Sequence, residues 1–224
     1  MSVAENLREV LTELPPRVRL VAVSKFHPND AIGEAYNAGQ RIFGESKVQE
    51  MTAKHESLPK DIEWHFIGHL QTNKIKYMAP YVAMIHGIDS YKLLVEVNKQ
   101  AAKVERTIKC LLQLHIAQEE TKFGFSAEEC REMLSAGTWK ELKNVQICGL
   151  MGMASNTDDV EQIDREFCSL NSLFKELKAT YFSHSDTFCE LSMGMSHDYP
   201  QAIAEESTLV RIGSKIFGER DYNI

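Results

Sequence analysis

Apolar residues along the chain alternate between two spacings, and this alternation recurs from one end to the other. In residues 2–14 they recur every three or four positions, which predicts a helix that a pair of prolines ends. Residues 18–23 form a continuous apolar run rich in β-branched side chains, which predicts a buried strand. Pro28 then opens a second helical segment that Gly39 closes.

The same strand-then-helix unit repeats as far as residue 212. Further strands are predicted at 41–44, 64–68, 82–88, 108–116, 145–151, 189–193 and 209–212. Helices are predicted at 28–36, 47–58, 73–79, 91–104, 127–134, 160–177 and 199–204, with a final turn or tail after 212. Apolar strands that alternate with helices predict a parallel sheet covered by helices. Eight such units favour a single-domain α/β fold over 1–224, a (β/α)8 TIM barrel with an extra N-terminal helix. An open doubly wound sheet is the alternative, but no G-x-G-x-x-G follows the first strand.

Composition excludes several classes of function. The net charge of −7 argues against nucleic acid as a partner, since phosphate backbones require a basic face. No apolar run approaches the ~20 residues that cross a bilayer. The N-terminus also lacks the layout of a signal peptide. The five cysteines are widely spaced without a C-x-x-C pair, which is typical of reduced thiols. We therefore expect a cytoplasmic protein that binds neither nucleic acid nor membranes.

Lys25 is the first candidate for chemistry, because it ends the first predicted strand. Functional residues of such barrels lie at the carboxyl ends of the strands. Burial at an apolar mouth lowers the pKa of a lysine, and the neutral amine can then form a Schiff base with an aldehyde. A lysine at a strand end is also a common surface cap, so Lys25 alone does not decide the matter.

The loops after the seventh and eighth predicted strands carry small and hydroxyl residues. Gly194 and Gly213 allow backbone to approach an anion, and Ser196 and Ser214 offer hydroxyl groups. Many barrels bind a phosphate in these two loops. Two tight turns would favour the same small residues for steric reasons. Strand eight neighbours strand one in a closed barrel, so Lys25 would lie beside this phosphate cradle. The pattern favours a phosphorylated aldehyde as the ligand.

Several segments are specific enough to compare with known families. They are V-A-V-S-K at 21–25, F-G-E at 43–45, H-F-I-G-H-L-Q-T-N-K at 65–74, G-L-M at 149–151, L-S-M-G-M-S at 191–196 and R-I-G-S at 211–214. Together they resemble the pyridoxal 5′-phosphate (PLP) homeostasis protein family, which is similar in fold to the N-terminal domain of bacterial alanine racemase. The resemblance runs from about residue 18 to residue 220.

The resemblance implies a cofactor and the residues that bind it. PLP would form its Schiff base with Lys25, and Ser196, Gly213 and Ser214 would hold its phosphate. Arg211 would lie beside the pyridine nitrogen. Independently of the resemblance, Met151, Met153, Met193 and Met195 are typical of residues that pack a barrel mouth, where they can line a cofactor ring, and Met195 is the cofactor contact predicted among them. The family commonly has asparagine where this chain has Ser46. If that position contacts the cofactor, the shorter Ser46 predicts weaker or differently oriented binding.

The same residues favour a carrier over an enzyme. An arginine stays charged and keeps a proton off the pyridine nitrogen, so Arg211 suits stored cofactor better than carbanion chemistry. Racemases of similar fold bring a catalytic tyrosine from a C-terminal domain, which we do not expect in a chain that ends at Ile224. We predict a protein of intracellular PLP homeostasis with no catalytic residues. The alternatives are a small PLP-dependent amino-acid racemase, a Schiff-base aldolase with Glu45 or Asp89 as acid or base, and an interaction module that merely binds PLP.

Two further expectations concern metals and partners. His65 and His69 lie four positions apart, but they flank a strand end and residue 66 is Phe, so we predict no metal site. A histidine on an apolar strand is typically a hydrogen-bonded core residue, which we predict for His65. The expected partners are PLP and PLP-dependent apo-enzymes, and we expect a monomer or weak dimer.

Overall fold

The computed structural model describes residues 2–119 and 123–219. Residue 220, at which the family resemblance ends, lies outside the described residues. Within it, eight parallel strands form a closed barrel in chain order. They are β1 (Arg19–Val23), β2 (Ile42–Glu45), β3 (Glu63–Phe66), β4 (Met84–Ile88), β5 (Ile108–Leu114), β6 (Val145–Gly152), β7 (Glu190–Ser192) and β8 (Leu209–Ile212). The last strand pairs with the first, so Val21 lies beside Arg211. This closure confirms the predicted barrel and excludes the open sheet.

Helices cover the outside of the barrel. They are α1 (Val3–Glu13), α2 (Asn29–Asn37), α3 (Val48–Ser57), α4 (Ile75–Met78), α5 (Tyr91–Lys103), α6 (Ala127–Ala136), α7 (Val160–Tyr181), α8 (Tyr199–Ala204) and α9 (Ser214–Phe217), with short 3-10 turns at Thr72–Lys74 and Thr138–Glu141. The extra N-terminal helix begins at a capping box, in which Ser2 and Glu5 each accept the other's backbone N–H. None of the helices in the described ranges is long and apolar enough to cross a membrane.

Three predicted strands end earlier in the structure, and the reason is identifiable for two of them. The strand predicted at 64–68 ends at Phe66. The strand predicted at 189–193 stops at Ser192, because Gly194 has φ +96° and turns the chain away from the barrel. The strand predicted at 108–116 stops at Leu114, where a returning segment pairs with it through Phe125. The helix predicted at 160–177 extends instead to Tyr181.

The interior of the barrel holds both apolar and polar side chains. One group is a cluster of buried apolar side chains, Val21, Met84, Leu111, Cys148, Met151 and Leu209. His65 and His86 are also buried in the interior, and a 2.9 Å hydrogen bond joins His65 Nδ1 to His86 Nε2. His65 is 2% exposed, which confirms it as a hydrogen-bonded core histidine.

Candidate functional site

A cavity of about 230 Å³ opens at the carboxyl ends of the strands. Its lining consists of Val23, Lys25, Ile67, Met153, Met195, Ser196, His197, Arg211, Gly213 and Ser214. Six of the seven predicted site residues therefore meet in one place. The cavity is smaller than the ~300–1000 Å³ typical of sites for drug-sized molecules, which suits one small ligand.

Ser46 is the predicted site residue that does not line this cavity. It is half-buried at the end of β2, and its backbone packs against the end of β3. A Cβ atom at Gly68 would come within 2.4 Å of the Ser46 carbonyl oxygen. Ser46 and Gly68 therefore have a close backbone contact at the rim of the mouth.

The turn that carries Lys25 is tied to α3 on both sides. The preceding carbonyl, of Ser24, accepts a 2.8 Å hydrogen bond from Lys54 Nζ. The following residue, Phe26, has φ +65°, a left-handed conformation that costs a non-glycine residue about 1 kcal/mol or more. Its N–H donates to Glu50 Oε1 at 2.6 Å. These two contacts fix the backbone from which the half-buried Lys25 reaches the cavity.

Beneath this turn lies a buried network of charged groups. The Lys54 ammonium is 2.8 Å from Glu45 Oε1 and 2.7 Å from Glu50 Oε1. Ser24 Oγ also donates to Glu45 Oε1, at 2.6 Å. Burial raises the pKa of Glu45 to about 7, and Lys54 opposes the rise. Glu45 Oε2 is buried with no hydrogen-bond partner among the described residues, so the network carries an unsatisfied carboxylate oxygen.

Neither carboxylate named for the aldolase alternative lines the cavity. Glu45 points into the network with Lys54, between the barrel and α3. Asp89 Oδ2 lies 3.2 Å from His69 Nδ1, and the His69 ring stacks on Phe123 at 3.9 Å between centroids. An acid or base for an amine at Lys25 is therefore not supplied by these two residues.

The loops after β7 and β8 offer hydroxyl and backbone donors to the same cavity. Ser196 Oγ accepts the Gly213 N–H at 3.2 Å, which joins the loops after β7 and β8. Asp198, which is fully buried, accepts the Met195 N–H at 2.5 Å through Oδ1. Gly194 is required here, because a Cβ would lie 2.6 Å from the Cβ of Ala202. Loop, hydroxyl and N–H groups together can receive a phosphate.

Arg211 forms the inner wall of the cavity and is 4% exposed. Its Nη1 donates to Ser192 Oγ at 2.6 Å and its Nη2 donates to the Gly152 carbonyl at 3.0 Å. Burial lowers the pKa of Arg211 to about 10, while the charge of Asp198 raises it. Arg211 therefore stays cationic at neutral pH, and both of these acceptors are neutral.

Comparison with known proteins identifies the family of this chain. Residues 1–221 match the family model described as "Alanine racemase, N-terminal domain". A pyridoxal phosphate homeostasis protein from Aquifex aeolicus (strain VF5) is 40% identical over 205 residues, which cover 91% of this chain and 88% of that protein. The chain belongs to the PLP homeostasis protein family. The resemblance inferred from the sequence motifs is thereby confirmed.

Solved structures extend the comparison. PipY of Synechococcus elongatus PCC7942 with PLP bound is 37% identical, with a TM-score of 0.87 over 97% of this PLP homeostasis family member and 100% of that chain. Alanine racemase from Bartonella henselae with covalently bound PLP is 16% identical, with a TM-score of 0.73 over 97% of this chain and 62% of that chain. At that identity, the racemase shares the fold alone.

Several residues that shape the site were not predicted from the sequence. No local motif predicts their contacts. These residues are Lys54, Glu50, His86, Ser192 and Asp198. One signal was present for Lys54, because it continues the buried face of α3 three positions after Met51. A lysine at such a position needs carboxylate partners, and Glu50 lies one turn before it.

Proposed function

We propose that this protein binds PLP at the mouth of the barrel, holds it as a Schiff base on Lys25, and serves intracellular PLP homeostasis. The proposal rests on one observation. The amine of Lys25, the cation of Arg211 and hydrogen-bond donors suited to a phosphate all line one small cavity. The relative PipY, which has been solved with PLP bound, supports the choice of ligand.

The residues fit the three functional parts of PLP. The amine of Lys25 suits its aldehyde, and Ser196, Ser214 and the Gly213 backbone suit its phosphate. The side chains of Ile67, Met153 and Met195 supply apolar surface for the ring. Bound PLP would supply an electrophilic aldehyde and an electron-withdrawing ring.

The charges around the cavity favour a carrier over an enzyme. Arg211 lies on the wall as a cation, which disfavours a protonated ring nitrogen beside it. Among the described lining residues, the other ionisable side chains are Lys25 and His197. The His197 ring lies 3.3 Å from Asp198 Oδ2 and is 47% exposed, so this site lacks a second, buried acid–base group for racemisation.

The proposal extends to partners and compartment. We infer that the protein passes PLP to apo-enzymes in the cytoplasm and acts as a monomer or weak dimer. All five cysteines are free thiols, and three of them are buried, which suits a reducing compartment. The openness of the mouth to solvent at His197 suits a cofactor that must leave as well as enter.

Borohydride reduction of the PLP-loaded protein, followed by peptide mass mapping, tests the assignment. We expect pyridoxyl phosphate on Lys25, a yellow wild-type protein, and a colourless Lys25→Ala variant. Lys47→Ala is the matched control, because Lys47 is exposed beside the same turn, stacked over Phe26. A colourless wild type at saturating PLP would overturn the proposal. Turnover of amino acids at the ~1–10³ s⁻¹ of ordinary enzymes would overturn the proposal that the protein is a carrier and not an enzyme.

A further inference from the structure

A chain of buried hydrogen bonds leads away from Arg211 across the interior of the barrel. Arg211 Nη1 contacts Ser192 Oγ at 2.6 Å, and Ser192 Oγ contacts His86 Nδ1 at 2.9 Å. His86 Nε2 then contacts His65 Nδ1 at 2.9 Å. The chain connects β8, β7, β4 and β3, and the contact between β7 and β4 passes through the barrel because these strands are not neighbours.

The donors of this chain all point in one direction. A guanidinium can only donate, so Ser192 Oγ accepts from Arg211. The Ser192 hydroxyl then donates its own hydrogen to His86 Nδ1. A neutral His86 that accepts at Nδ1 carries its proton on Nε2, and it donates this proton to His65.

The opposite direction would leave a donor without an acceptor. If His86 donated to Ser192, the Ser192 hydroxyl hydrogen would have no acceptor among the hydrogen bonds of the described residues. A buried donor without an acceptor is unfavourable, so the direction that starts at Arg211 is favoured.

Both imidazoles are neutral in the folded protein. Burial lowers the pKa of His65 to about 3, and the charges of Arg19 and Lys109 lower it further. Burial also lowers the pKa of His86 well below its usual range, as do His65, Arg211 and Arg19. The chain therefore holds Arg211 with neutral groups and adds no second charge behind it.

We propose that Ser192 and His86 are positioning residues for Arg211, and that they hold its guanidinium toward the ring nitrogen of bound PLP without neutralising it. The proposal rests on the function proposed above, because it assigns a role to Arg211 in that site. Its consequence is that a residue on β4, on the far side of the barrel, tunes the proton affinity of the bound cofactor.

The first test uses the protein without PLP. Nitrogen-15 NMR of labelled histidines reports which ring nitrogen carries the proton. We expect His86 and His65 to be neutral and protonated at Nε2 throughout pH 5–8. A proton on Nδ1 of His86 would overturn the direction of the chain. This measurement reports the direction of the hydrogen bonds even if PLP does not bind. It therefore distinguishes an error in the proposed hydrogen-bond direction from an error in the proposed function.

The second test follows the absorbance of the bound cofactor against pH. Ser192→Ala and His86→Leu each remove one link, and we expect the titration midpoint to rise by about 0.7 pH unit, a fivefold gain in proton affinity for the loss of one hydrogen bond. His86→Asn keeps an acceptor for Ser192, and we expect it to restore the wild-type midpoint. If His86→Leu does not fold, Ser192→Ala carries the test.

Ser207→Ala is the matched control for this titration. Ser207 is also a fully buried serine beside β7, but among the described residues its hydroxyl contacts only backbone carbonyls, those of Leu191, Met193 and Leu209. We expect it to lower stability without moving the midpoint. Equal midpoints for Ser192→Ala, Ser207→Ala and the wild type would overturn the positioning role.

Discussion

Lys25 and Arg211 reach the same cavity from adjacent strands, yet the groups that hold them differ in charge. Behind Lys25, the ammonium of Lys54 is buried with two carboxylates, Glu45 and Glu50. A buried ion pair is expensive to break, because removing one partner leaves a charge out of water. The lysine side is therefore rigidly held by strong contacts, and its stability depends on pH.

Behind Arg211, the contacts are neutral. Ser192 and the Gly152 carbonyl accept its hydrogen bonds, and Asp198 acts on it through charge alone. Hydrogen bonds from a guanidinium to neutral acceptors contribute about 1.5–3 kcal/mol each, and they leave the positive charge of Arg211 available to a ligand. The difference teaches that the lysine side holds a backbone turn with ion pairs, whereas the arginine side holds a cation with neutral hydrogen-bond acceptors.

Replacement of Lys54 by Met should give the largest effect of the changes that test this contrast. At a pH above 7, where Glu45 is ionised, this change leaves the buried carboxylate without its cationic partner, so we expect the free energy of unfolding to fall by about 3–5 kcal/mol. Urea denaturation measures this loss. The double variant Lys54→Met with Glu45→Gln removes both charges and should recover much of the stability. A loss below about 1 kcal/mol in the single variant would contradict the role of the buried pair.

The pH dependence of stability should show the same network with a smaller effect. Burial raises the pKa of Glu45 to about 7, from an ordinary 4.5, so the folded state binds more protons between these values. The contribution of Glu45 is therefore fully present below about pH 4.5 and is lost as pH rises through about 7. We expect a loss of up to about 3 kcal/mol in wild type.

Glu45→Gln is the reference for that measurement, because it keeps the shape of the side chain and cannot titrate. The difference between the two unfolding profiles isolates Glu45 from other groups. Parallel profiles between pH 4.5 and 7 would show that the carboxylate does not titrate there.

Ser196→Ala should give the smallest effect, a loss of affinity for PLP at the loops after β7 and β8. The loss of one hydroxyl donor should weaken PLP binding by about 1 kcal/mol, roughly fivefold, while the Schiff base still forms. Absorbance titration measures it. Pyridoxal, which lacks the phosphate, is the control ligand and should bind wild type and variant equally. An equal loss for both ligands would remove Ser196 from the phosphate contacts.

Local patterns in the chain were sufficient for the fold and for part of the site. The strand-then-helix alternation follows from burial of whole strands and one face of each helix, so it is written in consecutive residues. Lys25, Ser196 and Gly213 were predictable because each lies at a strand end, where the barrel closure brings them together. The prediction for Ser46 came from family resemblance alone, and the structure places its side chain outside the cavity lining.

The sequence by itself determined the order of elements and the chemistry available at each strand end. Only the tertiary structure decided which buried side chains contact and position those functional groups. Ser192 meets His86 across 106 positions of sequence, and Lys54 meets Ser24 across 30. Such contacts depend on barrel closure and on how α3 packs against the barrel, and the energy of a buried polar group depends on partners that sequence spacing does not specify.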